Sequence, residues 1–358
     1  MRRDQSRELA ALIGMLGEQV RPRMAGSPAE ATMAALINGR LRRYGMGVAT
    51  YPLRVVTKPG WGYRLLGLLG CSAFGLSPLL PWPSLCLALL VLLGFGLTLP
   101  PLGRRAASQT IMGVRAIEGA AGLAPRSPRW RLVVLAPLDS PLTWQGFQAI
   151  AGPSRGAALG RLAVGCLVCL GPLAALLLPG GWWLLGLPGA LGCAWLLLAT
   201  LQQPTAALPD GSLPALAALL TLAQRSQRLQ QVELWLGAVG ATSSDPRGMT
   251  LILSHLPFDH SQTLFIALEQ LAGAQLGCVL PPQATPLLRQ VTQGLRLPSW
   301  SPQHQATQIA PLLQRHGYQC LSIVSQAAAS VPREPDPQLV EQVVGLVLAL
   351  MEQLDEQG

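Results

Sequence analysis

Four histidines, seven cysteines and seventeen carboxylates are the side chains of this 358-residue chain best able to bind a metal or move a proton. Their spacing offers little ready-made chemistry. His255 and His260 flank a proline-containing turn and read as surface or hydrogen-bonded imidazoles rather than ligands. His304 follows a Ser-Pro loop and reads as solvent-facing. His316 precedes Gly317 and reads as a helix C-terminus, where an imidazolium suits the dipole. Cys166 and Cys169 have C-x-x-C spacing, but they lie in an uncharged apolar run, as do Cys71, Cys86 and Cys193, so helix packing is expected there. Only Cys278 and Cys320 lie elsewhere, and no disulfide framework emerges. Ser140 follows Asp139 without a nucleophile elbow or a paired histidine.

The elements that would position such residues are interrupted twice. Only 12% of the chain is charged, against about 25% in a soluble protein. No charged residue lies between Arg64 and Arg104, or between Arg161 and Asp210. Each gap holds two apolar runs: roughly 65–80 and 84–99 in the first, 162–178 and 182–200 in the second. Each run approaches the ~20 residues a spanning helix needs. Pro81-Trp82-Pro83 and Pro179-Gly180-Gly181 are read as the turns, so each gap is expected to be a transmembrane hairpin, with Trp82, Trp182 and Trp183 at headgroup level. Arg54, Lys58, Arg64, Arg104, Arg105, Arg155 and Arg161 flank the hairpins on one side, while the turns carry no charge. The positive-inside rule then places both termini and the remaining sequence in the cytoplasm, with the bilayer, in a bacterial inner membrane, as the first partner. The N-terminal residues have no cleavage site and read as an amphipathic helix. A net charge of +9 carried almost wholly by arginine, without interleaved aromatics, does not indicate a nucleic-acid partner. The charge-free spans also disfavour a transporter.

Outside the gaps the pattern alternates. Ser27-Pro28-Ala29-Glu30 is a capping box with proline at the first helical position, opening a helix to about Tyr44. Residues 48–56, 110–117, 131–136, 231–236, 264–268 and 320–324 read as strands; 213–227, 306–315 and 337–354 read as helices; 249–256 fits either. The expected class is α/β, a sheet flanked by helices.

These pieces, in this order, resemble the zinc exopeptidase family that includes bacterial leucyl aminopeptidases and glutamate carboxypeptidase (metallopeptidase family 28). MAGSPAEATMAALINGRLRRYGMGV is similar to its first capped helix and strand, RLVVLAPLDS to its strand ending in His-x-Asp, and DGSLPALAALLTLAQ to its Asp-Asn helix start. VELWLGAVGATSSDPRGM resembles the strand that ends in Glu-Glu, LFIALEQLAG the strand ending in a ligand Asp, and HGYQCLSI with PDPQLVEQVVGLVLALMEQL the last strand and helix. The resemblance implies a zinc-exopeptidase-like mixed sheet flanked by helices and interrupted by the two hairpins. Residues 1–62, 103–160 and 203–358 would form one discontinuous cytoplasmic peptidase-like domain, with 63–102 and 161–202 as the hairpins.

The family holds two zinc ions with two His and three carboxylates, and a Glu acts as general base. By the resemblance, the first His ligand falls at Pro137, which cannot coordinate. The Asp that orients it is kept as Asp139, the bridging Asp as Asp210, beside Gly211. The general base and its neighbouring ligand fall at about Thr242 and Ser243, and the next ligand Asp at Glu269. No histidine follows His316 to supply the last ligand. The dizinc cofactor is therefore expected to be lost. Asp139, Asp210 and Glu269 could hold a hard cation if they converged at strand ends; the expectation is that they are remnants. The chain reads as a catalytically inactive relative with a binding or scaffold role and a possible protein partner. The alternative is a membrane-bound hydrolase with a remodelled metal site.

Overall fold

A computed structural model describes residues 2–19, 23–56, 60–97, 105–117, 128–140, 142–143, 146–152, 154–178, 180–201, 205–206, 210–226, 229–242, 247–255, 258–273, 275–280, 284, 288–289, 297–300, 309–326 and 336–356. The chain divides into two compact units. The first comprises residues 1–55, 106–141 and 206–358, the second 56–105 and 142–205.

The first unit is built on an eight-stranded sheet. In chain order its strands are β1 (Gly47–Val56), β2 (Arg105–Arg115), β3 (Trp130–Pro137), β6 (Val232–Val239), β7 (Thr263–Leu268), β8 (Gln275–Val279), β9 (Ser299–Trp300) and β10 (Gln319–Gln326). The two-residue strands β4 (Leu142–Thr143) and β5 (Thr205–Ala206) pair only with each other. The spatial order is β1-β2-β6-β3-β7-β10-β8-β9. Strands β6, β3, β7 and β10 are mutually parallel, and β2 and β8 pair antiparallel on either side. A parallel core must be covered on both faces, and β3 shows how. Leu132, Val134 and Ala136 enter one buried cluster and Val133 and Leu135 the other.

The first cluster is shared with helices α1 (Arg2–Gln19), α2 (Pro28–Arg43), α7 (Ser212–Arg225) and α10 (Pro337–Glu356). Leu9, Ile13 and Leu16 place one face of α1 there, at helical spacing. Every residue of α7 from Ser212 to Ala223 is buried, as expected of a helix apolar all round. The second cluster takes in α8 (Arg247–His255) and α9 (Ala310–Arg315). Of residues 249–256, ambiguous by pattern, those up to His255 are helical and Leu256 lies outside the described residues. Arg115 ties helix ends together, donating to the carbonyls of Tyr44, Ala223 and Ser226. A cation there suits the negative ends of α2 and α7.

The capping box forms, with a variation. Ser27 Oγ accepts from Glu30 N–H at 3.2 Å, but the Glu30 carboxylate accepts from Gly26 N–H at 2.5 Å and from the Ser108 hydroxyl at 2.7 Å. Glu30 is 1% exposed. Burial pushes its carboxyl up from 4.5 to about 7, opposed by the Ser108 hydrogen bond, assisted by the charge of Asp139, and opposed again by the Gly26 and Ala241 amides.

The second unit contains α3 (Trp61–Leu76), α4 (Pro81–Gly96), α5 (Arg155–Leu177) and α6 (Leu187–Leu201), with 3-10 turns at Gly146–Ala151 and Gly181–Gly186. Pro81-Trp82-Pro83 does not form the first turn. It opens α4, because first-turn prolines have no amide to satisfy. At 16 residues each, α3 and α4 are about 24 Å long, short of the roughly 30 Å hydrocarbon core. Among the described residues, two stretches, Gly156–Leu177 and Gly181–Leu201, are long and apolar enough to cross a membrane, not the four expected. Only 33% of each stretch is buried, and Leu68, Leu93, Leu177, Leu191 and Leu198 are exposed. The helices approach through glycine. A Cβ on Gly67 would lie 2.9 Å from the Cys193 carbonyl oxygen, and one on Gly186 would lie 2.8 Å from Gly171 Cα. At the basic end, Arg64 donates to the Thr200 carbonyl, while Arg161 donates to those of Ile150 and Gly152 and lies 4.6 Å from the Tyr63 ring centroid.

Two outcomes follow. Because folding raises the Glu30 pKa, its contribution to stability is complete below 4.5 and is lost as pH rises through about 7. The apparent melting temperature of wild type should fall across that window relative to Glu30→Gln, whose side chain stays neutral; parallel curves for the two proteins would contradict this. Within the helical unit, Gly67→Val should destabilise by about 1–3 kcal/mol through overpacking. Gly75→Val, on the same helix with nothing within 4 Å of its Cβ position, should melt closer to wild type in a detergent thermal-stability assay.

Candidate functional site

The carboxyl ends of the parallel strands lie side by side, the place where open α/β sheets form ligand crevices. The segment after β3 carries Asp139 and Ser140. The segment after β6 carries Gly240, Ala241 and Thr242, and that after β7 carries Glu269 and Gln270. The turn into α7 adds Asp210 and Gly211. Two tight features hold these segments together. A Cβ on Gly211 would stand 2.7 Å from Gln270 Cα, and Leu271 N–H donates to the Gly211 carbonyl at 3.1 Å. One on Gly240 would stand 2.6 Å from Ser108 Oγ and 3.0 Å from Glu30 Oε1, so only glycine fits at either place. Ala241 (φ 59°) and Gln270 (φ 51°) adopt left-handed backbone conformations, which cost non-glycine residues about 1–3 kcal/mol each and gather at functional sites.

Pro137 is the last residue of β3, in register with Val239 of β6. The next amide, Leu138 N–H, donates to the Val239 carbonyl at 2.8 Å. The chain is thus strand-like at this position, with a side chain that offers no ligand atom. Asp139 is fully buried, and its Oδ1 accepts from Thr242 N–H at 2.9 Å and from the Thr242 hydroxyl at 2.7 Å. Ser243 lies outside the described residues, as does His304.

Asp210, 5% exposed, is held by donors on both oxygens. Oδ1 accepts from Ser212 N–H at 3.0 Å and from the Ser212 hydroxyl at 2.5 Å. Oδ2 accepts from the Ser140 hydroxyl at 2.6 Å and from the Arg23 guanidinium at 2.8 Å. Arg23, from the segment before α2, is fully buried; it also donates to Ser212 Oγ. Its backbone N–H donates to Ser140 Oγ at 3.2 Å, and its carbonyl accepts from Ser140 N–H at 2.8 Å. Arg23 and Ser212 were not anticipated as site residues. Arg23 is one arginine among many, in a segment with no recognisable motif, and its partners lie more than a hundred residues away in sequence. Ser140, set aside as a nucleophile, instead links Arg23 to Asp210.

Glu269 directly follows β7 and is 3% exposed, with Oε1 accepting from the Ile309 amide. Burial pushes the thiol of Cys320, on the neighbouring strand, well above its ordinary range, and the Glu269 charge adds to this. The histidines stand elsewhere. His255 lies at the end of α8, with Nδ1 2.9 Å from the Leu251 carbonyl. The His260 ring stacks on Tyr318 at 4.0 Å, and His316 caps α9.

The three carboxylates that could have shared a hard cation therefore each have their own partners. Among the described residues no group of three or more His, Cys, Asp or Glu is arranged to hold a metal. The donor set does not fit a dizinc centre. Pro137 supplies no ligand, and the Thr242 hydroxyl is directed into Asp139. An ionised carboxylate has roughly four lone-pair positions, and on Asp210 four donors already claim them.

No family model and no curated protein matches the sequence. Solved structures do match its fold. A zinc aminopeptidase from Bacillus subtilis superposes with a TM-score of 0.56 at 12% identity, covering 98% of this chain and 95% of its own. An aminopeptidase from Aneurinibacillus sp. strain AM-1 gives 0.55 at 10% identity, over 97% and 93%. Porphyromonas gingivalis glutaminyl cyclase gives 0.52 at 10% identity, over 97% and 98%. With its mixed eight-stranded sheet and flanking helices, the chain has the fold of the zinc exopeptidases.

Proposed function

We propose that this protein is a membrane-anchored relative of the zinc aminopeptidases that has given up peptide hydrolysis and serves in binding, as a scaffold for a protein partner. The observation that carries the reading is the Thr242–Asp139 contact. Where the resemblance implies a proton-relaying Glu, Thr242 directs both its amide and its hydroxyl into Asp139. A threonine hydroxyl cannot act as a general base near neutral pH, and loss of that assistance alone costs about a hundredfold to ten-thousandfold in rate. Pro137 at the place of a His ligand removes the means of activating a water as well.

Membrane anchoring is supported by the two long apolar stretches, each only one-third buried, by the exposed leucines around them, and by the arginines gathered at one end of the unit with Trp82, Trp182 and Trp183 at the other. Exposed leucine on this scale is tolerated by lipid and not by water. We read α3 and α4 as a shorter companion hairpin, and the arginine-rich flank as cytoplasmic.

Two measurements test this. Protein purified without chelator should contain no stoichiometric zinc by elemental analysis and show no chelator-sensitive cleavage of aminoacyl substrates. Two zinc ions per chain, or hydrolysis abolished by Asp210→Asn, would replace the reading with that of a remodelled hydrolase. In intact cells, cysteines introduced at Arg21 and Gln353 should be protected from impermeant thiol reagents, and labelling from outside at either place would overturn the orientation.

A further inference from the structure

Beyond the loss of zinc chemistry, the structure assigns a resident cation to the site. We propose that Asp210, Ser140 and Ser212 form a guanidinium receptor filled by the chain's own Arg23, so that an internal arginine stands where the carboxylate would otherwise require an external cation.

Three observations converge. Arg23 is fully buried, and a charge is retained at that depth only when it is paired and hydrogen-bonded. Its guanidinium meets a matched set of acceptors, Asp210 Oδ2 at 2.8 Å and Ser212 Oγ. Each serine hydroxyl in turn donates a hydrogen bond to Asp210, Ser140 to Oδ2 and Ser212 to Oδ1. The hydroxyls thus accept from Arg23 and donate to Asp210, one through the backbone and one through the side chain. The result is a closed ring of hydrogen bonds that runs from Arg23 Nη2 through Ser212 Oγ and the two oxygens of Asp210, with the guanidinium charge set against Oδ2.

The segment that delivers Arg23 is anchored at its other end. Its backbone exchanges two hydrogen bonds with Ser140. Ser27 N–H closes back on the Met24 carbonyl at 2.9 Å, Ala25 packs against Leu53, Val55 and Ala241, and Gly26 N–H is held by Glu30. A segment held at Arg23 and over the residues that follow it costs little entropy to keep the cation in place. It would hold Arg23 against Asp210 whether or not divalent metal is present.

The inference rests on the non-catalytic reading but fails separately from it. Zinc in the wild-type protein would sink that reading, whereas the receptor is tested through stability. Full-length protein in detergent is compared with Arg23→Ala, which leaves Asp210 buried without its cation. The variant should melt roughly ten degrees below wild type. Low-millimolar guanidinium chloride, far below denaturing concentrations, should recover part of that loss in a saturable way. Equal sodium chloride or equimolar zinc chloride should not, and Arg23→Ala/Asp210→Asn should show no recovery. A variant that melts like wild type, or one rescued by zinc and not by guanidinium, would overturn the proposal. If Arg23→Ala does not fold, the milder pair Arg23→Gln and Asp210→Asn replaces it. The double variant should then lie less far below wild type than the two single shifts combined, and additive shifts would contradict a coupled pair.

Discussion

A carboxylate buried at the end of a parallel sheet must be answered by positive charge or by hydrogen-bond donors, and Asp210 is answered by both. Its neighbours follow from that requirement. Ser212 begins α7 and turns its amide and hydroxyl back onto Oδ1, so the carboxylate serves the positive end of a helix that is buried along most of its length. Ser140, at the exit of β3, and Arg23, ahead of α2, reach Oδ2 from elements far apart in sequence. Asp210 therefore joins the central strand, the central helix and the N-terminal segment. Side chains of the protein alone make that junction.

The rest of the strand-end geometry gathers polar groups closely and gives each a local partner. The left-handed Ala241 and Gln270, and the glycines admitted only because no Cβ would fit, still bring four segments together. Yet Asp139 is bound to Thr242, Glu269 to the Ile309 amide, and Glu30 lies buried beneath Gly240 with its proton affinity raised. A fold that positions polar groups this closely must satisfy each of them, since an unpaired buried group costs about 1–3 kcal/mol.

Much of this was legible in the sequence for definable reasons. The capping box at Ser27 and the continuous apolar runs of β3 and α7 are local patterns, and each element forms where its pattern lies. The order of elements was sufficient to indicate the fold. What escaped was non-local. Strand β8 and the two-residue edge strand β9 are short elements whose pairing partners, not their own residues, make them strands. The start of α4 was misread because Pro81 and Pro83 fit a turn and a helix's first turn equally well. Arg23 carries no local mark at all, and its role exists only once β3 and α7 have been brought to it.

Whether Asp210 is the partner of Arg23 or a metal ligand can be read from a crystal structure of the full chain grown with excess zinc, with diffraction collected on both sides of the zinc absorption edge. With Arg23 as its partner, Asp210 should show no anomalous peak, and the Arg23 guanidinium should remain within hydrogen-bonding distance of Oδ2. A zinc peak on Asp210 with Arg23 displaced would contradict it.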